Sequence, residues 1–165
     1  MSSHSIKTPD SLHVASRSPA VFSGLDGLVA RNADGLLLVG RILMGWIFVT
    51  SGWSKLADLD GFAASLAHSG VPAASLLAYV GAPLEFVAGV ALLLGLATRY
   101  ATLFLILFMI VATLIAHRYW EFAEPAARRA QSNNFYKNVA MTGGLLAILV
   151  SGAGRFAIDR LMRRR

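Results

Sequence analysis

Residues 73–97 read AASLLAYVGAPLEFVAGVALLLGLA, a stretch in which Glu85 is the only charged side chain. About 20 consecutive apolar residues in a helix cross a hydrocarbon core of about 30 Å. Only a helix or a closed barrel satisfies the backbone in lipid, so the run predicts a transmembrane helix. A carboxylate at its middle costs about 2.5–3.5 kcal/mol on insertion scales unless something compensates it. Glu85 therefore marks a candidate site as well as a span.

The remainder of the chain agrees with lipid as solvent. Of 165 residues, 56% are hydrophobic and 15% charged, whereas soluble domains carry about 25% charged residues. Apolar runs predict four spans, at about residues 36–56, 73–96, 100–117 and 135–151. The expected fold class is thus all-α, an integral membrane four-helix bundle. The domain organisation expected is a polar, partly disordered segment over residues 1–35, a membrane domain over 36–152 and a basic tail over 153–165. Phe22, Leu25, Leu28 and Val29 fall at helical spacing and predict a short interfacial helix before the first span. Residues 1–35 lack an apolar core followed by a small-residue cleavage site, so this segment is expected to be retained.

Lys and Arg gather on cytoplasmic segments, and this rule sets orientation. Arg31, Arg99, Arg155 and the terminal RLMRRR fall on the side of the two ends, and Lys55, Arg118, Arg128, Arg129 and Lys137 fall opposite. The distribution predicts both termini in the cytoplasm. The net charge of +6 does not form the aromatic-interleaved basic stripe of a nucleic-acid binder, so no nucleic acid is expected and lipid headgroups are the anions. The chain has no cysteine, which excludes thiol–disulfide exchange and thiolate-held clusters or zinc. No clustered histidines or metalloprotease motif occur, so no metal site is expected.

Residues three and four apart share a helix face, and each span carries a stripe of small or polar residues. The first has Arg41, Gly45, Gly52 and Lys55; the second Gly81, Glu85 and Gly89; the third Thr102, Met109, Thr113 and His117. The fourth has Lys137, Met141, Gly144 and Ser151 beside Asn134, Asn138 and Thr142. Small residues permit close helix approach, so the same stripes also read as an ordinary bundle seam. Counting about 1.5 Å per residue from the cytoplasmic ends makes Arg41 the expected ion-pair partner of Glu85. A buried pair of this kind equally serves to fix register alone. Pro83 removes one helical hydrogen bond beside Glu85, which either opens a cavity or bends the packing. At the opposite face His117, Lys137, Asn138 and Lys55 are expected to form a polar vestibule, or to serve as interfacial anchors beside Trp53, Tyr119 and Trp120.

The segments GRILMGWIFVTSGWSKL at 40–56, GVP at 70–72, PLEFVAGVALLLGLATR at 83–99, FYKNVAMTGGLLAIL at 135–149 and GAGRFAID at 152–159 together resemble the DoxX family of small bacterial membrane proteins. The resemblance covers nearly everything after residue 36. It implies a four-helix bundle in the bacterial cytoplasmic (inner) membrane, with charged positions at Arg41, Lys55, Glu85 and Lys137 and a polar one at Asn138. It also implies an association with membrane redox systems. Some relatives are subunits of thiosulfate:quinone oxidoreductase, and mycobacterial members are linked to complexes with superoxide dismutase and a sulfurtransferase.

Two functions follow as expectations. The first is an accessory or quinone-interacting subunit, an oxidoreductase component that needs a redox-protein partner for its electrons. Lys137, Asn138 and His117 would hold the quinone, and Glu85 would act as a proton relay. The second is a non-catalytic scaffold or assembly factor with a structural charge network. Membrane lipids are expected partners in both cases, and a homo-oligomer is compatible with either. A carrier is disfavoured, because VALLLGL and LFLILFMI leave the inner halves of two spans almost wholly apolar.

Overall fold

The computed structural model describes residues 23–162. The partly disordered segment expected over residues 1–35 lies outside the described residues as far as residue 22, which takes in Phe22 of the interfacial helix, as do Arg163, Arg164 and Arg165 of the basic tail. Six α-helices occur among the described residues: α1 (Ser23–Ala57), α2 (Leu59–His68), α3 (Ala74–Leu94), α4 (Thr98–Ala116), α5 (Pro125–Ser151) and α6 (Ile158–Met162). A single 3-10 turn, Tyr119–Glu121, lies between α4 and α5. The chain divides into two units, residues 1–32 and 33–165. In the first, Asn32 Nδ2 and Arg31 Nε each donate back to a carbonyl four residues earlier in α1.

Three helical segments among the described residues are long and apolar enough to cross a membrane: Gly24–Ala57, Ala74–Leu94 and Thr98–Glu121. The expected fourth span is corrected by this count. Residues 135–151 do lie in a helix, but the helix begins ten residues earlier, at Pro125, and carries Arg128, Arg129, Gln131, Asn134, Lys137 and Asn138 in its first half. Its polarity, and not its length, keeps it out of the set. The fold is therefore an all-α, multi-pass membrane protein with three span-length helices. An odd number of crossings argues against the expectation that both termini are cytoplasmic.

The core joins α1, α3, α4 and α5. Phe48, Leu92, Leu105, Met109, Met141 and Leu145 pack together in it. Outward-facing Leu43, Trp46, Val87, Leu103 and Leu107 are exposed, as expected of side chains whose solvent is lipid. The approach of α1 to α3 depends on glycine. A Cβ at Gly45 would lie 2.9–3.0 Å from Leu93, one at Gly52 2.8 Å from the Phe86 backbone, and one at Gly89 2.8–2.9 Å from Phe48 and Val49. These contacts fix the register, pairing position 45 with 93, 52 with 86 and 89 with 48. The seam read from the small-residue stripes is therefore present, and it sets the depth of every polar residue on the two helices.

Local signals account for the turns. Asp58 accepts from Gly61 N at 2.9 Å and starts α2 directly after α1, as an acidic cap does. Glu124 accepts from Ala126 N at 3.0 Å and Ala127 N at 2.6 Å, with Pro125 in the first helical turn. Those two backbone bonds hold the Glu124 carboxyl below its ordinary pKa. At the far end of the bundle Gly95 (φ 71°) closes α3. The following turn is held by Asp159, which accepts from Ala97 N at 2.6 Å and Thr98 N at 2.9 Å and so caps α4 from the carboxyl-terminal segment.

Candidate functional site

Glu85 is 2% exposed, and its carboxylate is bonded to the Lys55 ammonium. The glycine register explains the pairing. Gly52 sits level with Phe86 on the antiparallel α3, so Lys55, three residues on, falls level with Pro83, about 3 Å of helix axis from Glu85. Its ammonium also lies 5.4 Å from the Phe62 ring centroid and 5.5 Å from that of Phe108, within the range in which ring faces attract a cation. Lys55 thus closes the end of an apolar stem with one carboxylate and two rings.

The Arg41–Glu85 pair expected from the sequence does not form. Arg41 packs beside Gly95, where a Cβ would come within 2.6 Å of Nη1. Ten residues of α3, about 15 Å of helix axis, separate that level from Glu85. The guanidinium donates to the carbonyls of Ala153 and Phe156 and feels the charge of Asp159. The spans do not sit flush at one membrane surface; glycine contacts and a folded-back carboxyl-terminal segment set the offset between them. Arg41, 2% exposed, belongs to a separate clamp that ties α1 to the segment following α5.

The remaining candidates do come together. A cavity of about 810 Å³ is lined by Lys55, Glu85, His117, Lys137 and Asn138. Its walls include Phe48, Phe104, Phe108, Met109 and Met141, drawn from α1, α4 and α5. Phe62 and Leu66 of α2 and Val71 of the following turn contribute further wall. Leu77, Val80, Leu84 and Val111 line it too and are exposed on the outside of the bundle. The cavity therefore borders the lipid-facing surface between α3 and α4, and its polar groups are few and convergent, as in small-molecule sites.

Each polar group has a defined posture. Asn138 Nδ2 donates to Thr113 Oγ1 at 2.9 Å, and Thr113 in turn donates to Met109 O at 2.6 Å. That chain fixes the Asn138 amide and leaves its carbonyl and second N–H available. His117 Nδ1 lies 2.9 Å from Gln131 Oε1. Since an amide oxygen only accepts, Nδ1 carries the proton and Nε2 is the acceptor in the neutral ring. Lys137 Nζ donates to Asn134 Oδ1 at 3.2 Å and has no acidic partner among the described residues. Thr113 and Gln131 were missed as partners by sequence reasoning; Thr113 lies on the stripe that ends at His117, while Gln131 fell in a stretch read as a loop.

Residues 36–118 match the family described as DoxX. The chain belongs to the DoxX family. Its relatives include the inner membrane protein YphA of Escherichia coli strain K12, 31% identical over 125 residues, which are 76% of this chain and 89% of the relative. The inner membrane protein YqjF of the same organism is 35% identical over 129 residues, 78% of this chain and 93% of the relative. An uncharacterized membrane protein of Mycobacterium tuberculosis is 30% identical over 139 residues, 76% of this chain and 80% of the relative. No solved structure matches the chain. This DoxX protein is accordingly a multi-pass inner-membrane protein, in keeping with its three span-length helices. The DoxX match takes in Arg41, Lys55, Glu85 and His117 and ends before Lys137 and Asn138.

Proposed function

We propose that this DoxX protein binds a quinone-class molecule in the cavity at Lys55 and Glu85 and serves as an accessory subunit of a membrane redox system. The observation that carries the proposal is the cavity itself. It gathers Lys55, Glu85, His117, Lys137 and Asn138 from four elements around aromatic walls. A volume of about 810 Å³ suits a substituted ring with part of an apolar tail, because small-molecule sites run from about 300 to 1,000 Å³. Exposed Leu77, Val80, Leu84 and Val111 at its border favour a ligand dissolved in the bilayer.

The donor set fits ring carbonyls. Lys137 and the free N–H of Asn138 can each donate to one, and the aromatic walls can stack on the ring face. Reduction of a quinone consumes two electrons and two protons. The electrons come from a partner electron-transfer protein, since the chain has no cysteine and its side chains supply no electron carrier. Glu85, the acidic residue lining the cavity, is the proton-handling group of this proposal. Lys55 holds its carboxylate, so proton passage through Glu85 requires that pair to part.

The glycine seam favours a second reading, in which the chain is a membrane scaffold and the Lys55–Glu85 pair fixes register. The two diverge in a difference-spectroscopic titration of the purified protein with a short-tail quinone. Saturable binding of one equivalent, weakened at least tenfold by Asn138→Leu with folding intact, supports the quinone site. Absence of saturable binding removes it and leaves the scaffold.

A further inference from the structure

A second groove lies away from that cavity, at the junction of the 3-10 turn and the beginning of α5. It has a volume of about 440 Å³ and is lined by Tyr119, Pro125, Arg128, Arg129, Ser132 and Tyr136. The acidic residues nearest in sequence are already committed. Glu121 pairs with Arg118 at 3.2 Å, and both Glu124 oxygens accept backbone N–H groups of α5. Arg128 and Arg129 have no ion pair or side-chain hydrogen bond among the described residues. Two adjacent guanidinium groups therefore face a groove with nothing to neutralise them.

The surroundings specify the depth. The third span-length segment ends at Glu121, so the groove sits where a span leaves the hydrocarbon. Tyr119, Trp120, Phe135 and Tyr136 form a cluster there, with ring centroids 5.2 Å apart for Tyr119–Trp120 and 5.4 Å for Tyr119–Phe135. Such rings settle at headgroup level. The Tyr119 and Tyr136 rings stand 6.1 Å apart between centroids, and Arg128 acts electrostatically on the Tyr119 hydroxyl. Both residues line the groove, and a phenol O–H there can donate to an anion.

We infer that this groove is a binding site for the phosphodiester headgroup of an anionic phospholipid, held by Arg128 and Arg129 with a tyrosine hydroxyl and with its acyl chains running down the aromatic cluster. Guanidinium forks match phosphate oxygens in two-point geometry. The inference is independent of the quinone cavity and does not need it to be occupied.

Native mass spectrometry of the full chain released from detergent micelles tests it. The protein is titrated separately with phosphatidylglycerol, phosphatidylcholine and inorganic phosphate. Phosphatidylglycerol is expected to remain bound at one equivalent and to bind about 30-fold less tightly to Arg128→Gln/Arg129→Gln, at about one lipid-surface contact per cation. Tyr136→Phe, which keeps both charges, is expected to weaken it several-fold, and Arg155→Gln, outside the groove, to leave it unchanged. Phosphatidylcholine should not distinguish wild type from the double variant. Equal retention of phosphatidylglycerol by the wild type, the double variant and Tyr136→Phe overturns the site. Displacement of the lipid by millimolar inorganic phosphate overturns the lipid assignment in favour of a free phosphate.

Discussion

Removing Lys55 and removing Glu85 should have unequal consequences, and the inequality follows from burial. Glu85 is 2% exposed, and its side chain has Lys55 as its ionic partner. Lys55→Met strands that carboxylate in an apolar cavity, and breaking a buried pair from one side costs about 3–5 kcal/mol. Glu85→Gln is milder. The Lys55 side chain is 25% exposed and its ammonium lies over the Phe62 and Phe108 rings, so partial hydration and ring contact limit the loss to about 1–2 kcal/mol. The double variant should cost no more than Glu85→Gln alone. The resulting coupling energy is at least about 3–5 kcal/mol in magnitude, well above the 0.5 kcal/mol or so within which independent sites add. Unfolding in mixed micelles, followed by tryptophan fluorescence, supplies the cycle. A parallel cycle with Arg41→Met and Glu85→Gln should be additive, because the two residues lie about ten helical residues apart in level. Additive Lys55 and Glu85 variants, or coupling between Arg41 and Glu85, would refute the assigned pairing.

Three further outcomes are expected. Gly52→Ala and Gly89→Ala place a methyl group within 2.8–2.9 Å of backbone on the facing helix and should destabilise by about 1–3 kcal/mol. Gly143→Ala, in α5 with open space around it, should be neutral or slightly stabilising in the same assay. Asp159→Asn weakens the cap on Ala97 and Thr98 and removes a charge facing Arg41; it should lower stability by about 1–2 kcal/mol, measured by thermal unfolding. Glu124 has its pKa depressed by the α5 backbone. Its contribution is therefore complete above the ordinary carboxylate pKa and lost as pH falls through the depressed value. An acid titration of stability should show that loss in the wild type and not in Glu124→Ala.

Composition and the run over residues 73–97 were enough to read an all-α membrane protein. The apolar stretches locate α1, α3 and α4 because hydrocarbon leaves little choice of structure. Two other elements do not show as span-length apolar runs. α2 follows the cap residue Asp58, but its ten residues are too short to register as a span. The first ten residues of α5, 125–134, precede the expected span at 135–151, and Glu124 followed by Pro125 is a helix-start signal of their own.

The candidate site was legible as a set of residues and not as a set of contacts. His117, Lys137, Asn138, Lys55 and Glu85 share one cavity, because periodicity finds helix faces without needing the offset between helices. Pairing needs that offset. It is set by Gly45, Gly52 and Gly89 against the facing backbone and by Ala153 and Phe156 against Arg41. Nothing local to Glu85 carries that information, and so the partner was misassigned to the other cation of α1.

The central claim is that the cavity around Glu85 holds a quinone taken from the bilayer. Photolabelling with an azido-quinone in native membranes, followed by peptide mapping, tests it most directly. Labels should fall on residues lining the cavity, in the 77–85 stretch of α3 and the 137–141 stretch of α5, and should vanish with excess unlabelled quinone. Labelling spread over the lipid-facing residues of all helices and insensitive to competitor would contradict the claim.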